Sequence, residues 1–161
     1  GSTLGTTTHM AFDEAGHITM PLQSAFLAQE TSGMSNVVNG ATIAYDAEIF
    51  DQNADFNTGT YTFTAPVTGR YFLSFHIYLN DWDGDGINWF RGTLITSNRT
   101  FYFAQSGAGR DANQDALGCF GPILCDMDAS DTAKVTYDQN GGSATGDTSV
   151  NNSWFSGHLV A

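Results

Sequence analysis

The sequence YTFTAPVTGRYFLSFHIYL, residues 61–79, decides the fold class of this chain. In its first part Tyr61, Phe63 and Ala65 are separated by single threonines, which is the period of a half-buried β-strand. Pro66 and Gly69 interrupt this alternation, because proline cannot donate to a strand ladder and glycine tolerates a turn. The stretch therefore predicts two strands joined by a turn.

The second of these strands has two different faces. One face is entirely apolar and consists of Tyr71, Leu73, Phe75, Ile77 and Leu79. The other face consists of Phe72, Ser74, His76 and Tyr78. A strand that faces open water would not direct two aromatic residues and a histidine outward. We therefore expect this second face to be half-buried, against another sheet or another subunit.

Composition and charge favour one all-β domain and exclude two kinds of partner. A chain of 161 residues fits a single domain, and its short Phe-, Tyr-, Thr-, Val- and Ile-rich runs between Gly, Asn and Asp turns favour a sandwich. The net charge is −12 and Lys134 is the sole lysine, so nucleic-acid phosphates and anionic membranes would be repelled. No run of 18 apolar residues occurs, so membrane insertion is not expected either.

Further strands are expected on both sides of the central stretch. On propensity alone, residues 22–30 would form a short helix. A single strand is expected at residues 41–50, and residues 106–118 are expected to form a long polar loop. The remaining strands are predicted at residues 87–95, 100–105, 122–128, 132–138 and 153–160.

Four segments in order carry a family resemblance, and the first of them is Phe50-Asp51 followed by Phe56 and Gly59. FTAPVTGRYFLSFHI at residues 63–77 resembles the central motif of the C1q/TNF-like jelly-roll domains, although Leu73 stands where that family usually has an aromatic residue. Residues 130–135 resemble the family's G-D-x-V turn and strand, and residues 155–160 resemble its closing strand. The resemblance covers about residues 24–161 and implies a ten-stranded, all-β jelly-roll sandwich that assembles as a compact homotrimer. It also implies that residues 22–30 form the first strand instead of a helix, with residues 25–28 inside.

The first 23 residues are predicted to be a linker and a short β-hairpin ahead of the jelly-roll domain at 24–161. In the hairpin, Met10 and Phe12 precede an acidic turn, and Ile18 and Met20 follow it. The segment MAFDEAGHITMP resembles one found just ahead of C1q-like domains in fibre proteins of bacterial viruses. The alternative is a surface hairpin with no functional meaning.

The candidate trimer interface consists of Phe72, His76 and Tyr78 together with Trp154 and His158 on the last strand. The resemblance implies a bell-shaped trimer with aromatic strands packed around its axis. The alternative is that these residues face the second sheet within one subunit. The two histidines are expected to be hydrogen-bonded groups rather than metal ligands.

A candidate calcium site lies between two strands at Asp81, Asp83 and Asp85. Carboxylates at alternate positions followed by glycine are typical of the start of a calcium-binding loop, and Ca²⁺ takes six to eight oxygen ligands. The match is incomplete, because position twelve of such a loop is Gly92 rather than glutamate. The alternative is an ordinary acidic turn. The resemblance favours calcium, because some C1q-like trimers hold Ca²⁺ in loops near the threefold axis.

The spacing of the two cysteines predicts their redox state, and the lack of catalytic motifs in the sequence argues against an enzyme. Cys119 and Cys125 would lie about 20 Å apart on one strand, so they are expected to be buried free thiols unless Gly121 and Pro122 form a tight turn. No nucleophile elbow, zinc-protease helix or phosphate loop occurs, so the chain is not expected to be an enzyme. Asn98-Arg99-Thr100 and Asn151-Asn152-Ser153 are glycosylation sequons, which have meaning only in a eukaryotic secreted protein.

These observations favour a trimeric head domain of a viral fibre or structural protein, located on the virion, that attaches to a host receptor or glycan. The alternative is a secreted C1q-like lectin or recognition protein.

Overall fold

The computed structural model describes residues 10–82, 87–106, 114–141 and 145–161. Within these ranges, all regular secondary structure consists of β-strands. A separate hairpin near the amino terminus pairs β1 (Ala11–Phe12) with β2 (Ile18–Thr19). The other twelve strand segments, three of them only two residues long, form two antiparallel sheets packed face to face. The predicted all-β jelly-roll sandwich is confirmed.

Sheet I contains the long central strand. Its order is β11 (Gln114–Met127), β8 (Gly69–Trp82), β14 (Trp154–Leu159), β3 (Ala25–Gln29) and β5 (Ala47–Asp51), and β13 (Asp147–Thr148) also pairs with β8. Sheet II has the order β10 (Thr100–Ser106), β9 (Ile87–Thr96), β12 (Thr132–Gly141), β7 (Thr62–Thr64) and β6 (Phe56–Asn57). The short β4 (Ala41–Thr42) pairs with β12 in sheet II.

The core lies between the two sheets and is rich in aromatic residues. All five apolar residues predicted on one face of β8 are buried there. The Phe26 ring of sheet I lies 4.8 Å from Phe63 of sheet II and 5.0 Å from Phe155, measured between ring centroids. Contacts of this kind add to the burial of apolar area that stabilises the sandwich. The alternation of residues 71–79 therefore predicted the core correctly.

Three strand predictions in the amino-terminal half need correction. Residues 41–50 form two strands instead of one, because the chain crosses from sheet II to sheet I between them and buries Ile43 and Tyr45 on the way. In β3 only Phe26 and Ala28 face the core, while residues 25 and 27 lie on the opposite face. Tyr61 has a φ of 57° and precedes β7, so it does not continue the alternation of that strand.

The strand that contains both cysteines is much longer than predicted. β11 starts at Gln114, inside the expected loop 106–118, and stays paired with β8 through Gly121 and Pro122. A proline is tolerated there because β11 is the edge strand of sheet I. Gly121 and Pro122 therefore make no turn, and Cys119 and Cys125 are buried free thiols, as predicted.

Candidate interaction site

Strand register places the predicted interface residues on the outer face of sheet I. His76 of β8 is directly opposite Trp154 of β14, and Phe72 is opposite His158. Because directly paired residues in antiparallel strands point to the same side of a sheet, these side chains share one face. Tyr78 lies on it too, with its ring centroid 6.0 Å from that of His76. The structure therefore brings all five predicted residues together.

None of the five side chains faces the second sheet of its own subunit. Phe72 is 36% exposed, His158 is exposed, and the other three are half-buried. Sheet II instead packs against the opposite side of β8, where the side chains have almost no exposure. Of the two alternatives for this face, packing inside one sandwich is thus excluded by the geometry, and contact with another molecule stays a prediction.

The same face contains apolar residues that the sequence prediction missed. β11 contributes Phe120, which is 71% exposed and opposite His76, and Leu124, which is opposite Phe72. β5 contributes the exposed Phe50, which is opposite Leu27 of β3. Alternation within residues 114–127 could have indicated Phe120 and Leu124, but the glycines and the proline obscured it. We call this surface the head face: Leu27, Phe50, Phe72, Ser74, His76, Tyr78, Phe120, Pro122, Leu124, Trp154, Ser156 and His158.

Two shallow apolar depressions lie side by side on the head face. One is lined by Leu27, Phe50 and Trp154 together with Ile49 of β5, and the other by Phe72, Phe120 and Trp154. Trp154 borders both depressions, so they form one continuous apolar surface. Exposed apolar surfaces of this size are typical of sites where proteins contact another molecule.

Three polar side chains of the head face have hydrogen-bond partners in the same chain. His76 Nδ1 lies 2.7 Å from the carbonyl oxygen of Asn152, so this nitrogen carries the proton and donates it. The Ser74 and Ser156 hydroxyl oxygens are 3.0 Å apart. Within the described ranges, no group of three or more His, Cys, Asp or Glu residues is placed to share a metal ion. The arrangement suits apolar contact.

A buried acid lies close to this face and was not predicted. Glu30 directly follows β3, has no exposed surface, and accepts a hydrogen bond from the Thr148 hydroxyl. Burial raises the pKa of the Glu30 carboxyl, and the hydrogen bonds from Thr148 and Ser153 oppose this shift. Ser153 is also fully buried and accepts a 3.0 Å hydrogen bond from the backbone N–H of Tyr78. Glu30 is therefore connected to the backbone of the head face.

The opposite surface of the molecule, the outer face of sheet II, carries a second aromatic group. The Arg91 guanidinium carbon lies 4.5 Å from the ring centroid of Trp89 and 3.8 Å from that of Tyr102. Asp138 pairs with Arg91 at 3.4 Å, and Tyr102 is 59% exposed. A guanidinium between two aromatic rings holds both rings in place. We call Trp89, Arg91 and Tyr102 the sheet II cluster.

The predicted calcium site lies outside the described residues. Asp83 and Asp85 fall in the range 83–86, and the Asp81 side chain is likewise not described. Calcium binding at these three residues stays a prediction from the sequence.

Comparisons with known proteins agree with the architecture. A model of the C1q domain matches residues 25–160. The globular domain of zebrafish complement 1qA protein superposes with a TM-score of 0.64 at 18% identity, covering 86% of this chain and 98% of that one. Eiger TNF from S. frugiperda gives 0.65 at 14% identity, with 86% and 93% covered, and murine APRIL gives 0.56 at 11%, with 86% and 99% covered.

One comparison and one property of the structure gave negative findings. The search of curated proteins found no match to the sequence. Among the described residues, no helix has the length and apolar character needed to cross a membrane.

Proposed function

This chain belongs to the C1q domain family, and on that premise we propose that it forms a homotrimer that serves as the non-enzymatic recognition head of a fibre or structural protein of a bacterial virus. C1q and TNF homologues form homotrimers, and their domains are generally recognition modules rather than enzymes. The location that follows from this proposal is the surface of the virion. Three features support the proposal: the apolar head face, the outer face of sheet II, which stays accessible in a trimer, and the segment that precedes the domain.

The head face is the observation that carries the trimer. An antiparallel sheet with one face in the core usually presents polar residues on its other face. Sheet I instead presents Phe50, Phe72, Phe120 and Leu124, each at least 36% exposed in the single chain. Burying these side chains against neighbouring copies would remove about 25 cal/mol of unfavourable hydration per Å² of apolar surface. A homotrimer would therefore bury apolar surface that a monomer leaves exposed to water.

Light scattering with a pair of matched variants tests the trimer. The wild-type protein should have about three times the chain mass of 17.3 kDa. Phe120→Asp should give the chain mass, because it places a charge in a desolvated contact. Tyr102→Asp introduces the same charge at an exposed aromatic residue of sheet II, and it should leave the mass unchanged. A wild-type monomer at micromolar concentration would refute the trimer.

The outer face of sheet II is the surface that we assign to a host receptor or glycan. It lies opposite the head face, so trimerisation through sheet I leaves it accessible. The sheet II cluster offers rigid aromatic rings beside charged and hydroxyl groups, which suits attachment to polar partners. Binding to a glycan array should be lost in Tyr102→Ala while the mass stays that of the wild type. A binding signal that survives this substitution would place the attachment site elsewhere.

The segment ahead of the domain supports a fibre. Residues 10–21 resemble a segment that precedes C1q-like domains in fibre proteins of bacterial viruses, and the structure gives them an ordered hairpin. The alternative, a secreted C1q-like recognition protein, is favoured by the exposed Asn98 and Asn151 of the two sequons. Upstream fibre repeats in the native protein would support the virus. A signal peptide, or glycan attached to Asn151, would support secretion.

A further inference from the structure

The amino-terminal hairpin has a closely bonded turn although its strands are short. The Asp13 carboxylate accepts hydrogen bonds from the N–H groups of Ala15 and His17 at 2.9 and 2.8 Å, and its other oxygen lies 2.7 Å from the His17 ring. Gly16 has a φ of 86°, which suits the left-handed position in this turn. The hairpin lies entirely before residue 25, where the family match begins. It is thus an addition to the C1q domain with a defined local structure.

One side of this hairpin is apolar and uncovered. Phe12 and Ile18 are directly opposite each other and are 70% and 57% exposed. Met10 and Met20 continue the same alternation and are 49% and 44% exposed. A two-stranded hairpin is marginally stable alone, and an apolar patch of four large side chains indicates an interaction surface. We call these four residues the hairpin patch.

The hairpin is joined to the head by side-chain amides. Gln52, which follows β5, donates to the carbonyl oxygens of Met20 and Gln23 at 2.8 and 2.7 Å. Asn53 donates to the Leu22 carbonyl at 2.9 Å, and the Gln23 side chain donates to Leu159 at the end of β14 at 2.6 Å. These bonds attach the last residue of the hairpin and the two residues that follow it closely to the domain, so the hairpin patch lies beside the head.

That place is the edge of the head face. Ile18 and Met20 line a groove together with Ala25 and His158. Register sets Ala25 opposite His158, and His158 opposite Phe72, so this groove continues directly into the head face. The hairpin patch therefore extends the same surface that the proposed trimer buries.

We propose that the hairpins of the three subunits pack on one another through the hairpin patch, so that they form an apolar collar at one end of the trimer. This inference rests on the proposed homotrimer, because the continuity of the two surfaces identifies the occupant as a second copy of this chain. Asp13 and Glu14 in the turn are exposed and stay in water when the patch is buried. An anionic membrane is not a suitable occupant for a chain with a net charge of −12.

Photo-crosslinking in the whole protein tests the collar. Phe12 is replaced by benzoylphenylalanine, and a control carries the same group in place of Thr19, which lies on the opposite side of the hairpin. We expect cross-linked dimers and trimers from position 12, with the link mapping to residues 10–22 of another copy, and few from position 19. Absence of links between chains, links to the head alone, or equal yields at both positions would overturn the proposal.

Dissociation measurements separate this inference from the trimer itself. Ile18→Asp should make the trimer dissociate at a concentration about tenfold higher than wild type, whereas Thr19→Asp should not change it. If wild type is trimeric and Ile18→Asp dissociates at the same concentration, the collar is refuted while the proposed function stands. If wild type is a monomer, both are refuted.

Discussion

At the scale of single residues, the burial of Glu30 contributes to the pH dependence of the stability of this domain. Its carboxyl group is fully buried, and burial raises its pKa above the ordinary value despite the hydrogen bonds from Thr148 and Ser153. The folded protein therefore binds this proton more tightly than the unfolded chain does. The stabilisation is complete below the unfolded pKa of about 4.3, and it is lost as pH rises through the folded pKa.

Replacing this acid by its amide should remove that pH dependence. Glu30→Gln keeps an oxygen for the Thr148 hydroxyl but cannot ionise, so its free energy of unfolding should increase relative to wild type as pH rises from 4 to 8. Urea denaturation at several pH values measures this difference. Glu48→Gln removes the same charge from an exposed position of β5 and should follow the wild-type pH profile. A constant difference between Glu30→Gln and wild type across this range would contradict the prediction.

Glu30 also shows what a local sequence pattern does not contain. Its burial depends on Thr148 and Ser153, which are more than a hundred residues away in the chain. The strand before it, β3, was predicted from the family resemblance and not from alternation, and residues 25 and 27 were wrongly placed inside because all four residues 25–28 are apolar. Local alternation predicted which side of β8 is buried, while the environment of a single polar group depends on the tertiary fold.

At the scale of strands, Gly157 of β14 allows sheet I to pack closely. A Cβ atom at this position would lie 2.4 Å from Leu73 Cδ2 and 2.7 Å from Phe26 Cε1. Leu73 also occupies the position where the family usually has an aromatic residue. The small residue on β14 and the medium-sized residue on β8 therefore share one space in the core.

Coupled substitutions test this shared space. Gly157→Ala should lower the free energy of unfolding by about 1–3 kcal/mol through overpacking. In the double variant with Leu73→Val the total loss should be smaller than the sum of the single losses by at least ~0.5 kcal/mol, because the clashing methyl group is removed. Urea denaturation at one protein concentration measures all three variants.

A control for the added methyl group is Gly59→Ala. At that position the one neighbouring atom within 4 Å of the new Cβ is Asn57 Oδ1 at 3.2 Å. As an exposed substitution it should change stability by less than about 0.5 kcal/mol. Additive losses for Gly157→Ala and Leu73→Val would show that the two residues do not share a space.

The strands also show which parts of the fold could be predicted from the sequence and which could not. The two faces of β8 were predicted, because nine consecutive residues alternate without interruption. β11 was predicted only from residue 122, because Gly118, Gly121 and Pro122 break the pattern and its length is set by its pairing with β8. Phe120 was therefore missed as a candidate site residue, although Phe72 and Trp154 of the same face were included. Pairing partners far away in sequence determine this part of the site.

At the scale of the whole molecule, the proposed trimer predicts that stability depends on protein concentration. If three folded chains dissociate only when they unfold, a tenfold rise in concentration stabilises each chain by two thirds of 1.4 kcal/mol, which is ~0.9 kcal/mol. For a domain of this size, such a change shifts the melting temperature by about 2–4 °C. The melting temperature of a monomer does not depend on protein concentration. Melting curves therefore distinguish a trimer that stabilises the fold from a weak association of stable monomers.

We therefore expect the wild-type melting temperature to rise by about 2–4 °C for each tenfold increase in concentration. Phe120→Asp should melt at a lower temperature that does not depend on concentration, because its charge prevents burial of the head face. Tyr102→Asp, on the opposite sheet, should keep the wild-type dependence. Differential scanning calorimetry over a hundredfold range of concentration measures this. A constant wild-type melting temperature together with a trimeric mass would show that each subunit folds stably alone, and that the head face then serves assembly without supporting the fold.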